Sequence, residues 1–283
     1  MINKSDVVNF YKDIPFNYAN NIEYYQNSIK EYNQIIEYFD LHNLLKKRKS
    51  FFNSKIKYVA EFGCGTGWLS NSIAYYYNKK VTSIDFTKKA IELADLVTKS
   101  MKLDINYKHC DIFEYKDEKL YDLVVSLGVL HHTIDCRKAF KKIASFVKPN
   151  GYLYVGLYHL YGRKPMLNFL QNHAHWHGEK SAYNLFKRMN KDMQNEEHSY
   201  SWFRDQVIHP HETQHTLEEL FNWIKEENFI LKSTSINNYK SLNNFNNGEL
   251  IKLEKELEEY SYNKNVNKLE FNPGYFTVCA KRI

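Results

Sequence analysis

Three glycines and two acids carry the first chemical signal in this sequence. Gly63, Gly65 and Gly67 alternate with Cys64 and Thr66 directly after the apolar run Tyr58-Val59-Ala60-Glu61-Phe62. Glycine at such a point lets the backbone turn sharply and approach a ligand closely. Trp68 stands where a dinucleotide site would place its third glycine, so the spacing that brings a helix N-terminus up to a pyrophosphate is broken. Glu61 comes just before the glycines, where a carboxylate would face an ammonium group rather than a phosphate. Asp85 ends the next apolar run, Val81-Thr82-Ser83-Ile84, where a carboxylate can accept both hydroxyls of a ribose. The plain alternative is that both acids only cap backbone amides.

These residues need strand ends and tight turns to hold them. The first strand, residues 58–62, precedes a helical pattern over residues 68–77. A second strand at 81–85 leads into a helix around 88–101, and a third strand follows at 105–109. A fourth strand covers 121–127, a helix about 137–147, the turn signal Pro149-Asn150-Gly151, and a fifth strand 152–157. Strands alternating with helices predict βαβ units and a parallel sheet covered on both faces. Residues 158–215 lack strand alternation and are rich in His, Trp and Tyr. Thr216 and Glu219 then have capping-box spacing ahead of a helix. Residues 229–236 and 274–281 read as strands, with a charged helix at 249–258 between them. The expected divisions are an N-terminal helical, aromatic lid at 1–50, a ligand-binding core at 51–157, an inserted cap at 158–215, and the remaining core sheet at 216–283 with a charged helical insertion around 240–270.

Composition narrows the classes. With 283 residues, 43% hydrophobic and 25% charged, the chain can bury a sizeable core. The net charge of +6 permits an anionic partner without requiring one. Lys46-Lys47-Arg48-Lys49 is the densest basic patch and reads either as the solvated end of a helix or as a nucleic-acid contact. The cysteines Cys64, Cys110, Cys136 and Cys279 form no C-x-x-C pair, which predicts neither a zinc knuckle nor a disulfide framework and suits a cytoplasmic setting. No signal peptide and no membrane span are expected.

The run from Val59 to Gly67 resembles the first motif of the class I S-adenosylmethionine-dependent methyltransferases, and Asp85 their ribose-binding acid. Cys110-Asp111-Ile112 is similar to the segment whose Asp contacts the adenine amino group. The run from Tyr121 through Leu127-Gly128 to His131-His132 resembles their fourth-strand motif, and Lys148-Pro149-Asn150-Gly151-Tyr152-Leu153 the turn before their fifth strand. More weakly, residues 156–163 and 209–216 look like segments of a bacterial subset of these enzymes and imply no substrate. The resemblance spans about residues 57–157. It implies a doubly wound, mostly parallel seven-stranded α/β sheet whose last strand is antiparallel, residues 229–236 and 274–281 forming the final pair. It also implies S-adenosylmethionine as cofactor and no metal. The cofactor-lining expectation covers Tyr11, Glu61, Gly63, Gly65, Gly67, Asp85, Phe86, Asp111, Ile112, Leu127 and Gly128.

Methyl transfer from a sulfonium is an in-line displacement, which asks the protein to hold both reactants in contact and exclude water. A base helps when the acceptor carries a proton. The loops after strands four and five should line the acceptor side, which makes His132, Tyr158, His159, Tyr161, Arg163 and Glu212 candidate substrate contacts. His131, His209, His211 and His215 are the candidate catalytic groups. Three readings of His209-x-His211-Glu212-x-x-His215 stay open: a polar hinge satisfied by backbone, an acceptor-orienting or deprotonating group, and a metal site. Pro210 and the cap at Thr216 set the segment apart from an H-E-x-x-H zinc helix. For His131-His132 a packing role competes with catalysis. The N-terminal segment 11–18 reads as an aromatic lid or as a helix merely packed at the sheet edge.

The expected function is methyl transfer to a small molecule enclosed by the insertion. One rival is a tRNA or rRNA methyltransferase, supported by the charge but lacking an appended RNA-binding module. The 126–132 loop also lacks the Asn/Asp-Pro-Pro-Tyr type of motif. The other rival is a non-catalytic protein that only binds the methyl donor, against which the glycine loop and both acids count. Oligomeric state is open.

Overall fold

The computed structural model describes residues 4–31, 55–193, 195–240, 242 and 247–283. The basic patch at 46–49 and residues 1–3 and 32–50 of the expected N-terminal lid lie outside them. Two helices precede the sheet, α1 (Lys4–Tyr11) and α2 (Ile22–Glu31). The sheet then builds as β1 (Tyr58–Phe62), α3 (Trp68–Tyr77), β2 (Lys80–Asp85), α4 (Lys88–Ser100), β3 (Ile105–His109), β4 (Tyr121–Leu127), α5 (Cys136–Ala144) and β5 (Val147–Tyr158). Three helices follow, α6 (Leu160–His177), α7 (Glu179–Met189) and α8 (Glu196–Val207). The chain finishes with α9 (Leu217–Glu226), β6 (Phe229–Thr234), α10 (Asn247–Tyr262) and β7 (Tyr275–Arg282).

The seven strands run in the order β3-β2-β1-β4-β5-β7-β6. β1 to β5 pair in parallel, and β7 pairs antiparallel with both β5 and β6. Alternation along the strands sorts the two layers. Val59, Leu123 and Val125 pack with Leu69 and Ile73 of α3, while Ala60, Phe62 and Val124 pack with Phe140 and Ile143 of α5 and with Leu220 and Ile224 of α9. Both faces of the central strands are therefore covered, as their near-continuous apolar character requires.

Some sequence expectations shift. Pro149-Asn150-Gly151 is not a free turn; it lies inside β5, where pairing with β4 jumps from Tyr121–Val147 to Leu123–Tyr152. Asn150 takes a left-handed φ of 63° at this irregularity. The preceding helix accordingly stops at Ala144, because Val147 is already paired with Tyr121. β6 ends at Thr234, whose hydroxyl accepts from Ile236 N–H and opens a short 3-10 turn. The expected capping box is present, with Thr216 Oγ1 accepting from Glu219 N–H and Glu219 accepting from Thr216 N–H.

The 158–215 insertion is a helical layer with its own apolar cluster, including Met166, Leu170, Phe186, Phe203 and Val207. The charged helix α10 supports this layer from behind: Glu254, only 2% exposed, accepts from Leu217 N–H and pairs with His159 Nε2 at 2.8 Å. Ser261 Oγ donates to Gly162 O at 2.5 Å. No described helix is long and apolar enough to cross a membrane.

Candidate active site

The C-terminal ends of β1, β2 and β4 open into a cavity. Gly63 sits at its floor with φ of 77°, and a Cβ there would come within 2.3 Å of Val129 Cγ2. Asp85 organises the glycine turn: Oδ2 accepts from Gly65 N–H and Oδ1 from Thr87 N–H, both at 2.8 Å. Burial raises the Asp85 carboxyl and these two amides pull it back. Glu61 is 4% exposed and accepts from Ser70 Oγ. Burial lifts it to about 8, and among the described residues no cation faces it. A buried carboxylate in that condition suits the ammonium group of a ligand. Phe86, Asp111, Ile112, Leu127 and Gly128 line the same cavity. Asp111 Oδ1 accepts from Phe113 N–H at 2.7 Å. Val7, Tyr11, Phe16 and Asn17 close it from the N-terminal side. Gly67, expected on the wall, does not line it. Its φ of 79° and close packing against Ala94 and the Tyr107 hydroxyl show a glycine kept small for the α3–α4 contact.

A second cavity adjoins the first. The two share Phe16, Asn17, Trp68, Leu127, Gly128 and Asp205 as walls. Tyr24, Tyr25, Tyr158, His198, Trp202, Gln206 and Tyr275 are among the other residues that line the second one. Its lining is aromatic with polar tips, and α8 supplies much of it. Asn17 is fixed there by Trp202 Nε1 at 2.5 Å and His198 Nε2 at 3.0 Å.

The histidines separate on geometry. His132 lines the first cavity, and its Nδ1 contacts His211 O at 2.8 Å. A carbonyl can only accept, so Nδ1 carries the proton and the neutral ring leaves Nε2 as a bare acceptor. That Nε2 has no hydrogen-bond partner and lies 3.9 Å from Asp205 Oδ1. Burial brings His132 down to about 4. His209 has the opposite tautomer. Its Nδ1 accepts from His211 N–H at 3.0 Å, so Nε2 bears the hydrogen and the neutral ring offers no base. It packs against His132 with ring centres 3.8 Å apart.

Like His209, the remaining candidate histidines lie off the cavity walls, as do Tyr161 and Arg163; Tyr158 lines the second cavity. His131 is fully buried, stacked on Tyr158 at 3.9 Å, with Nδ1 accepting from Tyr158 N–H. His211 Nε2 contacts Thr133 O at 3.0 Å. His215 Nε2 contacts Thr213 Oγ1 at 2.8 Å. His159, expected beside the substrate, turns away from it toward Glu254, and its Nδ1 caps α6 through Gly162 N–H. Tyr161 follows it, with its ring 5.8 Å from that of His159. Arg163 is fully buried behind Tyr158, 3.6 Å from its ring centre, and grips Glu212. His209, His211 and His215 thus point to separate partners. Among the described residues no three His, Cys, Asp or Glu side chains are placed to hold a metal ion.

Asp205 is the group sequence reasoning missed. It is 4% exposed and stands where the two cavities meet. Tyr11 donates to Oδ1, while Tyr158 and Gln206 Nε2 donate to Oδ2 at 3.2 and 2.9 Å. Burial raises its carboxyl. The one signal available was an acid in the last turn of a helix, where the macrodipole disfavours it.

A family model described as a methyltransferase domain matches residues 53–264. A ubiquinone biosynthesis O-methyltransferase of Rickettsia prowazekii is 31% identical over 118 residues, 41% of this chain and 46% of that protein. The protein of the same name from Coxiella burnetii is 30% identical over 131 residues, 43% of this chain and 56% of that one. The match thus spans about half the length of these curated relatives. Among solved structures, PKMT2 from Rickettsia typhi superposes with a TM-score of 0.57 at 16% identity, covering 95% of this chain and 54% of that one. A magnesium protoporphyrin IX methyltransferase from Synechocystis, solved with bound S-adenosylmethionine, gives 0.50 at 12% identity, covering 94% and 86%. At these identities the structural matches speak for the fold.

Proposed function

This chain belongs to the class I S-adenosylmethionine-dependent methyltransferases, and from that membership we propose that it methylates a small organic acceptor held in the second cavity beneath the helical insertion. The observation that carries the reading is the shared wall. Trp68, Leu127, Gly128 and Asp205 border both cavities, so ligands in the two would meet there. Bound S-adenosylmethionine would supply an electrophilic methyl group on a sulfonium. Glu61 is suited to its ammonium group, Asp85 to the ribose hydroxyls, and Phe86 and Ile112 to the faces of the adenine. The N-terminal segment would exclude water by closing the first cavity with Tyr11 and Phe16. O-methylation, the activity for which the Rickettsia and Coxiella relatives are named, lies within the same reading.

A crystal structure with S-adenosylhomocysteine tests it. The expected result places the ribose on Asp85 and the sulfur facing the second cavity. A sulfur walled off from that cavity, or a nucleoside bound elsewhere, would overturn the reading.

A further inference from the structure

The first cavity holds a buried acceptor atom with nothing to accept, on His132, beside the Asp205 wall that it shares with the second cavity. His132 Nε2 is buried and unpartnered, and the His211 carbonyl fixes the ring so that this nitrogen keeps its lone pair. The nearest acid, Asp205 Oδ1, lies 3.9 Å away and is itself an acceptor already served by Tyr11. Two acceptors facing each other across that distance leave room for a ligand hydrogen. The second cavity beside them is walled by aromatic rings, among them Tyr24, Tyr158, Trp202 and Tyr275. Flat aromatic walls favour a flat aromatic guest.

We propose that the acceptor is a small aromatic molecule bearing a phenol-type hydroxyl, and that His132 Nε2 takes its proton while Asp205 steadies the resulting imidazolium. This rests on the methyltransferase reading above. The step balances: the hydroxyl proton passes to Nε2, an oxygen electron pair forms the new O–CH₃ bond, and the C–S bond breaks with its electrons staying on sulfur. The products are an aryl methyl ether, neutral S-adenosylhomocysteine and protonated His132, whose charge Asp205 faces from 3.9 Å. His209, which packs against His132, is excluded as the base by its tautomer. Asp205 acts as a positioning residue, with His132 as the catalytic one.

The first test needs no turnover. Simple phenols and the same rings lacking the hydroxyl are titrated by calorimetry into protein saturated with S-adenosylhomocysteine. A hydroxyl that satisfies a buried orphan nitrogen should favour the phenol by about tenfold or more. His132→Asn should erase that preference in protein still saturated with S-adenosylhomocysteine. The second test uses a panel of phenols of graded acidity, with aliphatic alcohols, amines and thiols alongside. His132→Asn should lower phenol turnover by about 10²–10⁴, and the deficit should shrink as the phenol becomes more acidic and needs the base less. Asp205→Asn should steepen the wild-type dependence on phenol acidity, a change that mere loosening of the fold would not produce. A phenol preference that survives in His132→Asn, methylation only of amines, thiols or aliphatic alcohols, or no methylation of any phenol would each overturn the proposal. If the wild-type protein does not bind S-adenosylhomocysteine at all, the underlying reading fails, and that outcome is distinct from the others.

Discussion

Arg163 and Glu212 close a two-bond ion pair, Nε to Oε1 at 3.0 Å and Nη2 to Oε2 at 2.7 Å, that ties the start of α6 to the returning limb of the insertion. Arg163 also donates to Gln206 Oε1 and to the Gln206 carbonyl on α8. One side chain therefore fastens both ends of the 158–215 segment behind Tyr158. Removing one partner would strand a buried charge. Arg163→Ala is expected to cost about 3–5 kcal/mol of stability. Replacing both residues together, as Arg163→Met with Glu212→Met, should cost clearly less than the sum of the two single changes. Urea denaturation of the four proteins reads this directly, and additive losses would contradict it.

Asp85 shapes the glycine turn, and in the proposed reading it also accepts the ribose hydroxyls. Asp85→Ala would leave the Gly65 and Thr87 amides without their acceptor as well as removing the ligand contact. Asp85→Asn keeps one of the two acceptors and sets its amide nitrogen against the other N–H, so its stability is measured beside its affinity. It should stay folded and lose about 1.5–3 kcal/mol of S-adenosylhomocysteine affinity, the range for hydrogen bonds to a charged group. Unchanged affinity in a folded variant would remove Asp85 from the ribose site.

With Glu61 holding the ligand's ammonium group, as proposed, binding should be sensitive to protons. The Glu61 carboxyl is lifted to about 8 by burial, so most of it is protonated at pH 7 when the cavity holds no cation. An arriving ammonium favours the ionised form and drives that proton off. Calorimetric titration of S-adenosylhomocysteine at pH 7 in buffers of different ionisation enthalpy should show release of up to about one proton. Glu61→Gln should abolish the release and weaken binding. A binding enthalpy independent of buffer in the wild-type protein would contradict the assignment.

Stability should fall with acidity. Burial holds His132 at about 4, His198 at about 4 and His209 at about 3. Unfolded, each titrates near 6.5. The unfolded chain then binds more protons below that pH, so the contribution of these histidines is complete above about 6.5 and declines toward pH 4. Each costs up to about 1.4 kcal/mol per pH unit in that window. Glu61 and Asp205, raised by burial, oppose part of the slope because they take up protons in the folded state. Asp85, also raised by burial, joins the two acids, and His131, lowered well below its ordinary value by burial, joins the three histidines; four buried histidines then face three acids, and the urea midpoint at pH 5 should lie below that at pH 7. An equal or higher midpoint at pH 5 would contradict this.

The core was legible because its signals are local. Glu61 and Asp85 sit where an apolar run stops, and the glycines between them fix the turn, so a strand end and an acid can be read from adjacent letters. The antiparallel final pair also emerged as expected, carried by the family resemblance rather than by periodicity. The acceptor side was less legible for a physical reason. Tyr158 and His159 are neighbours at a strand end, yet Tyr158 lines the second cavity and His159 turns away to Glu254 on α10. Sequence places both at the right strand end without saying which faces inward. Asp205 lies in a helix whose apolar and polar residues read like any amphipathic surface, and its burial depends on Tyr11 and Tyr158, both distant in sequence. Glu254 was hidden in the same way, as one acid among many in a charged helix.

The central claim is that this chain moves a methyl group onto a small molecule. S-adenosylmethionine carrying a labelled methyl group, incubated with the protein and separately with cell metabolite, protein and RNA fractions, tests it most directly. The account predicts that label enters the metabolite fraction, in a base-stable aryl ether, and that Asp85→Asn abolishes or sharply lowers the transfer. Label appearing in RNA or protein instead, or in no fraction at all, would contradict it.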